Sequence, residues 1–153
     1  MIQKTYVPEG EQPPASQIAA TLEALAGTIA ARRDAGEESY TNRLLTGNLD
    51  NVLKKVMEEA GEVALAAKDA DCAMRLACDS GASAAGEVSA EVDAQVDHLR
   101  YEAADVVYHL LVVLERFGIS LDEFAAELNN RMTEEERPAG AVRLHDEFVR
   151  RGK

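Results

Sequence analysis

Residues 48–70 read NLDNVLKKVMEEAGEVALAAKDA. Apolar side chains recur in this stretch every three or four positions, the spacing of an amphipathic helix packed on a core. The residues predicted on the core side are Leu49, Val52, Val56, Ala60, Val63 and Ala67. Glu58, Glu59 and Glu62 lie beside that stripe, where a carboxylate is rare unless it has a partner. The stretch therefore predicts a helix that carries a functional site.

Another helix, predicted over residues 89–117, repeats this arrangement with Glu102 and Asp105. Its core stripe is predicted at Val92, Val96, Leu99, Ala103, Val106, Leu110 and Leu114. Positions i and i+3 share a helix face, so each helix presents neighbouring carboxylates along one edge of its stripe. Lys55 lies beside one acidic edge and His109 beside the other. If the two helices pack antiparallel, the edges face a shared groove.

The predicted cluster of carboxylates favours a bound cation. Unit charges about 4 Å apart repel by roughly 4 kcal/mol at an effective dielectric near 20, so some of the acids are protonated or a cation lies among them. Mg²⁺ takes carboxylate oxygens and keeps positions for substrate phosphates. The alternative is an ordinary solvated helix face. By themselves, the carboxylates predict a magnesium-dependent phosphate site and no particular substrate.

The flanking residues each have an ordinary structural interpretation as well. Lys55 could be only the ion-pair partner of Glu58 or Glu59, at helical spacing, or it could bind phosphate. His109 taken alone is more typical of a buried, hydrogen-bonded histidine than of a catalyst. Tyr108 is by default a packing residue.

Composition predicts one all-α domain. The chain has 153 residues, 46% of them hydrophobic but only 5% aromatic, and it is rich in Ala, Leu and Glu. These residues favour helices over strands. The net charge of −12 argues against a nucleic-acid surface. Cys72 and Cys78 lack the partners of a zinc site and are expected to be reduced thiols.

We expect a soluble, cytoplasmic protein with no membrane contact. No apolar run approaches the roughly 18 residues of a membrane helix, and the first residues do not resemble a signal peptide. Residues 1–15 are predicted to be a flexible leader and residues 16–132 the domain, with a first helix that begins near the N-cap Ser16. Its predicted stripe is Ile18, Leu22, Leu25 and Ile29.

The remaining segments connect or follow these helices. Residues 70–91 are rich in Ala, Ser and Gly. They are predicted to form a long loop inserted between helix two, predicted over residues 48–70, and helix three, predicted over residues 89–117. Gly118 should stop the third helix, and Ser120-x-x-Glu123 is a capping box that opens a shorter fourth one. Residues 133–153 are a C-terminal tail in which Thr133-x-x-Glu136 could open another helix. The result is a four-helix-bundle-like domain.

Three strings of residues resemble a known family. They are Ser39-Tyr40-Thr41 with Leu44 and Gly47, the string from Lys54 to Val63 (KKVMEEAGEV), and the string from Tyr101 to Leu111 (YEAADVVYHLL). The acidic motifs resemble those of the MazG-like all-α nucleotide pyrophosphohydrolases. Ser-Tyr-Thr and Ala-Ala-Asp-x-x-Tyr-His-Leu-Leu resemble more closely the phosphoribosyl-ATP pyrophosphatases of histidine biosynthesis.

The resemblance implies Mg²⁺-dependent hydrolysis of phosphoribosyl-ATP, between its α and β phosphates, by a helical homodimer. It implies metal ligands at Glu59, Glu62, Glu102 and Asp105, and catalytic roles for Glu59 and for Glu58, which would support the cage or orient the attacking water. The residues implied at the substrate are Ser39, Tyr40, Thr41, Arg43, Lys55 and His109. Two alternatives are a pyrophosphohydrolase of free nucleoside triphosphates and a non-enzymatic acidic interaction module.

Overall fold

The computed structural model describes residues 4–79 and 85–149, and for residues 85–89 the backbone only. The described chain forms five α-helices and no strand, which confirms the all-α prediction. They are α1 (Gln17–Ala31), α2 (Tyr40–Thr46), α3 (Leu49–Asp79), α4 (Ala85–Arg116) and α5 (Leu121–Asn129). No helix within the described ranges is both long enough and apolar enough to cross a membrane.

Side-chain caps define where three helices begin. Ser16 and Ser39 are the N-caps of α1 and α2, and each accepts a hydrogen bond from the backbone N–H three residues on. Ser120 and Glu123 form the predicted capping box of α5. Gly118, with φ at 67°, ends α4 as predicted, because this left-handed conformation suits a residue without Cβ.

The core of the fold is an antiparallel hairpin of α3 and α4, whose buried positions follow a heptad spacing. On α3, Val52, Glu59, Ala66 and Ala73 are buried and lie seven residues apart, and on α4, Glu102 and His109 do the same. This is the 3.5-residue repeat by which two helices keep one seam in contact. The acids Glu59 and Glu102 therefore occupy the seam itself rather than its edge.

Some positions of the predicted stripes are exposed in the structure. Ala60 and Ala67 of α3 are exposed, since a stripe drawn at 3.6 residues per turn drifts off a seam that repeats every 3.5. The predicted stripe of α4 already repeats every seven residues, and Ala103 is exposed because the seam lies one position earlier, at Glu102 and His109. Ile18 is 67% exposed because it precedes the part of α1 that packs on the other helices.

The prediction of a loop over residues 70–91 is wrong for the residues that the structure describes, and residues 80–84 lie outside them. Helix α3 continues to Asp79 and α4 begins at Ala85, so the segment lengthens both arms of the hairpin. Alanine is the strongest helix former, and its small side chain lets two helices approach closely. Ala66, Ala70 and Ala73 are buried at this contact. A scarcity of large apolar residues here indicated close packing, not a loop.

The short helices pack on one end of the hairpin. The buried cluster there comprises Ile29, Leu44, Leu45, Val52, Leu111 and Val112. Arg116 of α4 donates hydrogen bonds of 2.7 Å to the carbonyl oxygens of Leu44 and Gly47, so its guanidinium caps the carboxyl end of α2. Helix α2 is thereby fixed against α4.

The two ends of the chain contain no α-helix within the described residues. In the leader, Lys4 pairs with Asp97 of α4. In the tail, Thr133 donates hydrogen bonds from its backbone N–H and its hydroxyl to the Glu136 carboxylate, but only a turn follows. Residues 146–148 form one 3-10 turn. Pro138 follows too closely for a helix to extend. Both thiols, Cys72 and Cys78, are free and exposed.

Candidate active site

Three carboxylates from α3 and α4 converge at the hairpin seam. One oxygen each of Glu59, Glu62 and Glu102 lies within 4.8 Å of the others, and we call these residues the acid cluster. Glu59 and Glu102 are buried, whereas Glu62 is exposed. The seam supplies two acids and the adjacent turn of α3 supplies the third. The set consists only of hard oxygen donors on two helices, which fits a Mg²⁺ ion.

The acid cluster is electrostatically asymmetric. The pKa of Glu59 is lowered, chiefly because the Lys55 ammonium lies 2.9 Å from its Oε1. The pKa of Glu62 is raised, chiefly because this carboxyl shares a hydrogen bond with Glu59 and also feels its charge. Of the two, Glu59 is therefore the stronger acid, and Glu62 binds a proton more readily than an isolated glutamate does. A cation can take the place of that proton.

Asp105 lies outside the acid cluster, although the sequence predicted it as a fourth ligand. It is half-buried, one turn after Glu102 on α4. Its backbone carbonyl oxygen is 2.9 Å from Nδ1 of His109. The structure therefore brings together three of the four predicted ligands and places the fourth nearby on the same helix.

His109 is buried between the acid cluster and α2. In the neutral imidazole, Nδ1 must carry the proton because its partner, the Asp105 carbonyl, can only accept. Nε2 then accepts a hydrogen bond from the Tyr40 hydroxyl at 3.2 Å. Nδ1 also lies 3.8 Å from Oε1 of Glu59. The histidine is satisfied within the protein, which agrees with the ordinary structural interpretation of this residue.

Helix α2 presents its polar residues toward α4 and toward a groove. The Thr41 hydroxyl lies 2.7 Å from the Tyr108 hydroxyl, so Tyr108 both packs on the core and joins the two helices. Ser39 uses its hydroxyl as the N-cap. Arg43 donates to the backbone carbonyls of residues 37 and 38 and lies over the Tyr40 ring.

A basic groove of about 320 Å³ borders the acid cluster. Its walls come from α2 and from the first turns of α3. The lining residues are Tyr40, Arg43, Leu44, Asn51, Lys54, Lys55 and Glu58. Lys55 belongs to both regions, because it lines the groove and contacts Glu59 at 2.9 Å. The groove can bind anionic groups next to a position for a cation.

Sequence reasoning missed several residues of this site. Lys54 and Asn51 line the groove, and His98 lies 2.9 Å from Oε1 of Glu102. For Lys54 and His98 the sequence offered only helical spacing as a signal: Lys54 precedes Glu58 by four residues, and His98 precedes Glu102 by four. Arg116, which holds α2 in place, gave no signal because its partners are backbone carbonyls far away in the chain.

These features define an all-α protein with a candidate cation site on a helical hairpin, bordered by a basic groove. The chain belongs to the phosphoribosyl-ATP pyrophosphohydrolase family, whose model matches residues 22–132. The match includes both acidic segments and all of α2, and it leaves the leader and the tail outside.

Similar proteins carry names that agree with this family. The phosphoribosyl-ATP pyrophosphatase of Limosilactobacillus fermentum is 39% identical over 111 residues, which cover 72% of this chain and 82% of that protein. That of Dechloromonas aromatica is 33% identical, with 72% and 81% covered. The histidine biosynthesis bifunctional protein HisIE of Deinococcus radiodurans is 39% identical over 112 residues, 40% of its length. No solved structure matches the chain.

Proposed function

We propose that this protein hydrolyses the bond between the α and β phosphates of phosphoribosyl-ATP, the second step of histidine biosynthesis, and releases phosphoribosyl-AMP and pyrophosphate. The observation that carries the proposal is the adjacency of the acid cluster and the basic groove, joined through Lys55. Family membership supplies the substrate. In the reaction a water oxygen bonds to phosphorus, the anhydride bond breaks, and the water proton passes to a base or to solvent.

We propose Mg²⁺ as the cation, held by Glu59, Glu62 and Glu102, with Asp105 as a fourth ligand. The three clustered carboxylates support this, because they offer only oxygen donors and repel one another without a cation. Asp105 follows Glu102 by one turn and therefore shares its helix face. A bound magnesium ion would neutralise phosphate charge and lower the pKa of water.

The chain's own side chains would bind and orient the substrate. Arg43 and Lys55 present positive charge along the basic groove and suit the phosphates. The Tyr40 ring, 45% exposed, offers a face for the base or the ribose. We assign Ser39, Thr41 and His109 to the support of α2 rather than to direct substrate contact, because their polar atoms already have partners in the protein.

The decisive assay compares substrates. With magnesium present, phosphoribosyl-ATP is expected to release pyrophosphate much faster than a panel of nucleoside triphosphates that includes dUTP. Pyrophosphate is measured by a coupled enzymatic assay, and protein with both Glu59→Gln and Glu102→Gln serves as the blank. Release from the panel but not from phosphoribosyl-ATP would assign the same site to free nucleoside triphosphates. No release from any substrate would favour an acidic interaction module.

We also propose that the protein is a homodimer built on the outer face of α3. Leu53, Met57 and Leu65 are exposed there, with Met57 at 74%, and they follow one another at intervals of four and eight residues. An exposed apolar strip of this kind is typical of an interface.

Light scattering after size exclusion is expected to give twice the chain mass of 16.5 kDa. Met57→Lys should shift it toward the monomer. Met74→Lys, at an exposed methionine on another face of α3, should not, and a monomeric wild-type protein contradicts the proposal.

A further inference from the structure

Glu58 is a carboxylate inside a groove that is otherwise basic. Its Oε1 lies 3.1 Å from the Lys54 ammonium, and its Oε2 lies 3.1 Å from the Lys55 ammonium. Both oxygens of Glu58 are therefore occupied by cations that line the groove. A carboxylate held in this way has no oxygen directed at a single reacting atom.

The contacts of Glu58 imitate those of a phosphate. Ammonium groups bind carboxylate and phosphate oxygens with the same charge-assisted hydrogen bonds. Lys54, Lys55 and Arg43 line one groove, so a phosphate seated between the two lysines would meet the ammonium groups that Glu58 now contacts.

The two ion pairs are also easily exchanged. The side chain of Lys54 is 75% exposed and that of Glu58 is 39% exposed. Exposed ion pairs contribute little to stability, so their loss costs the folded protein little. A phosphate that carries more charge than a carboxylate can therefore replace Glu58 at both lysines.

We infer that the Glu58 carboxylate occupies the position that a substrate phosphate takes on binding, and that Lys54 is a further substrate-binding residue of this site. When the polyphosphate binds, Lys54 and Lys55 exchange the Glu58 carboxylate for phosphate oxygens. The inference rests on the proposed function in taking a polyphosphate as the ligand, and it deepens that function by assigning Lys54 and the exchange.

The exchange links substrate binding to the release of a carboxylate beside the acid cluster. Glu58 precedes Glu62 by four residues, so the two side chains are neighbours on one face of α3. Once it leaves the lysines, the Glu58 carboxylate can accept a hydrogen bond from the attacking water. It is thus free to orient water only while phosphate occupies the lysines.

The test measures the binding of inorganic pyrophosphate to the full chain in excess chelator, by ³¹P NMR titration. Glu58→Gln is expected to tighten binding about three- to tenfold, the size expected from two lost exposed pairs. Glu58→Asp keeps the charge but shortens the side chain, and it should tighten binding by a smaller factor. Lys54→Met should weaken binding by a similar factor, and in that background Glu58→Gln should have a reduced effect.

Asp50→Asn is the matched control. Asp50 precedes Lys54 by four residues, as Glu58 follows it by four, and Asp50 is exposed. Equal tightening by Asp50→Asn and Glu58→Gln would reduce the effect to general electrostatics and overturn the inference. Unchanged affinity in both Glu58 variants, or no pyrophosphate binding by the wild-type chain, would overturn it too.

The binding test is separate from the test of the proposed function, because it needs neither magnesium nor turnover. If phosphoribosyl-ATP is not hydrolysed but Glu58→Gln tightens pyrophosphate binding, the exchange stands and the substrate assignment fails. If phosphoribosyl-ATP is hydrolysed but the Glu58 variants bind pyrophosphate as the wild type does, the exchange fails alone.

Discussion

Glu59→Gln is expected to lower kcat/KM for pyrophosphate release by more than about 100-fold, since even partners that only orient a metal ligand contribute about 10- to 100-fold. Glu59 is one of the two buried members of the acid cluster. It contacts Lys55 and lies near His109. The amide keeps the shape of the side chain but removes the charge that holds a cation. Steady-state kinetics with saturating magnesium measure the loss.

The same substitution should leave the protein folded, with a slightly lower melting temperature than the wild type. The charge of Glu59 is stabilised by Lys55, and the amide gives up that contact, but Lys55 keeps Glu58 as a partner at 3.1 Å. Asp69→Asn, at an exposed position of α3, is the matched control and should retain full activity. A Glu59→Gln enzyme within tenfold of the wild type contradicts the metal assignment.

Asp105→Asn extends this experiment to the ligand that lies outside the acid cluster. If Asp105 closes the cage around a bound ion, its amide variant should lose activity as Glu59→Gln does. Activity close to that of the wild type would show that the three clustered carboxylates suffice.

Removal of magnesium is expected to abolish turnover, and its addition should stabilise the fold. An ion that binds only the native state stabilises it by RT ln(1 + [L]/Kd), about 1.4 kcal/mol at ten times Kd. For a chain of this size that corresponds to a rise in melting temperature of roughly 3–6 °C. The measurement is thermal unfolding with chelator and with magnesium, with and without pyrophosphate.

Two comparisons make the thermal experiment specific to the acid cluster. Sodium chloride at equal ionic strength controls for screening of the acidic surface. The Glu59→Gln, Glu102→Gln double variant should lose the shift, because it removes both buried ligands. A wild-type protein that magnesium does not stabilise, even with pyrophosphate present, would argue for the interaction module instead.

Local sequence signals predicted the parts of the fold that depend on neighbouring residues. The N-cap at Ser16, the capping box at Ser120 and the stop at Gly118 are all confirmed, since each depends on groups within a few residues. The acidic pairs were found because carboxylates beside an apolar stripe are rare. The all-α class followed from composition, and the family from three short strings.

Other features became visible only when α3 and α4 were brought together. A single helix reveals neither whether its seam repeats every 3.5 or 3.6 residues nor at which position that seam lies. The sequence therefore placed Glu59 and Glu102 at the edge of the stripe instead of in the seam. Nor does it reveal whether a run of alanines meets a partner helix, so residues 70–91 were taken for a loop.

By itself, then, the sequence determined the helical class, several helix ends and the acids of the candidate site, because each of these depends on local spacing and residue type. Only the tertiary structure decided that Glu59, Glu62 and Glu102 meet while Asp105 lies outside, that α2 is held by Tyr108 and Arg116, and that Glu58 lies between two lysines of a basic groove. The physical reason is that distances between side chains on different helices are set by the packing register of the hairpin, which no single segment encodes.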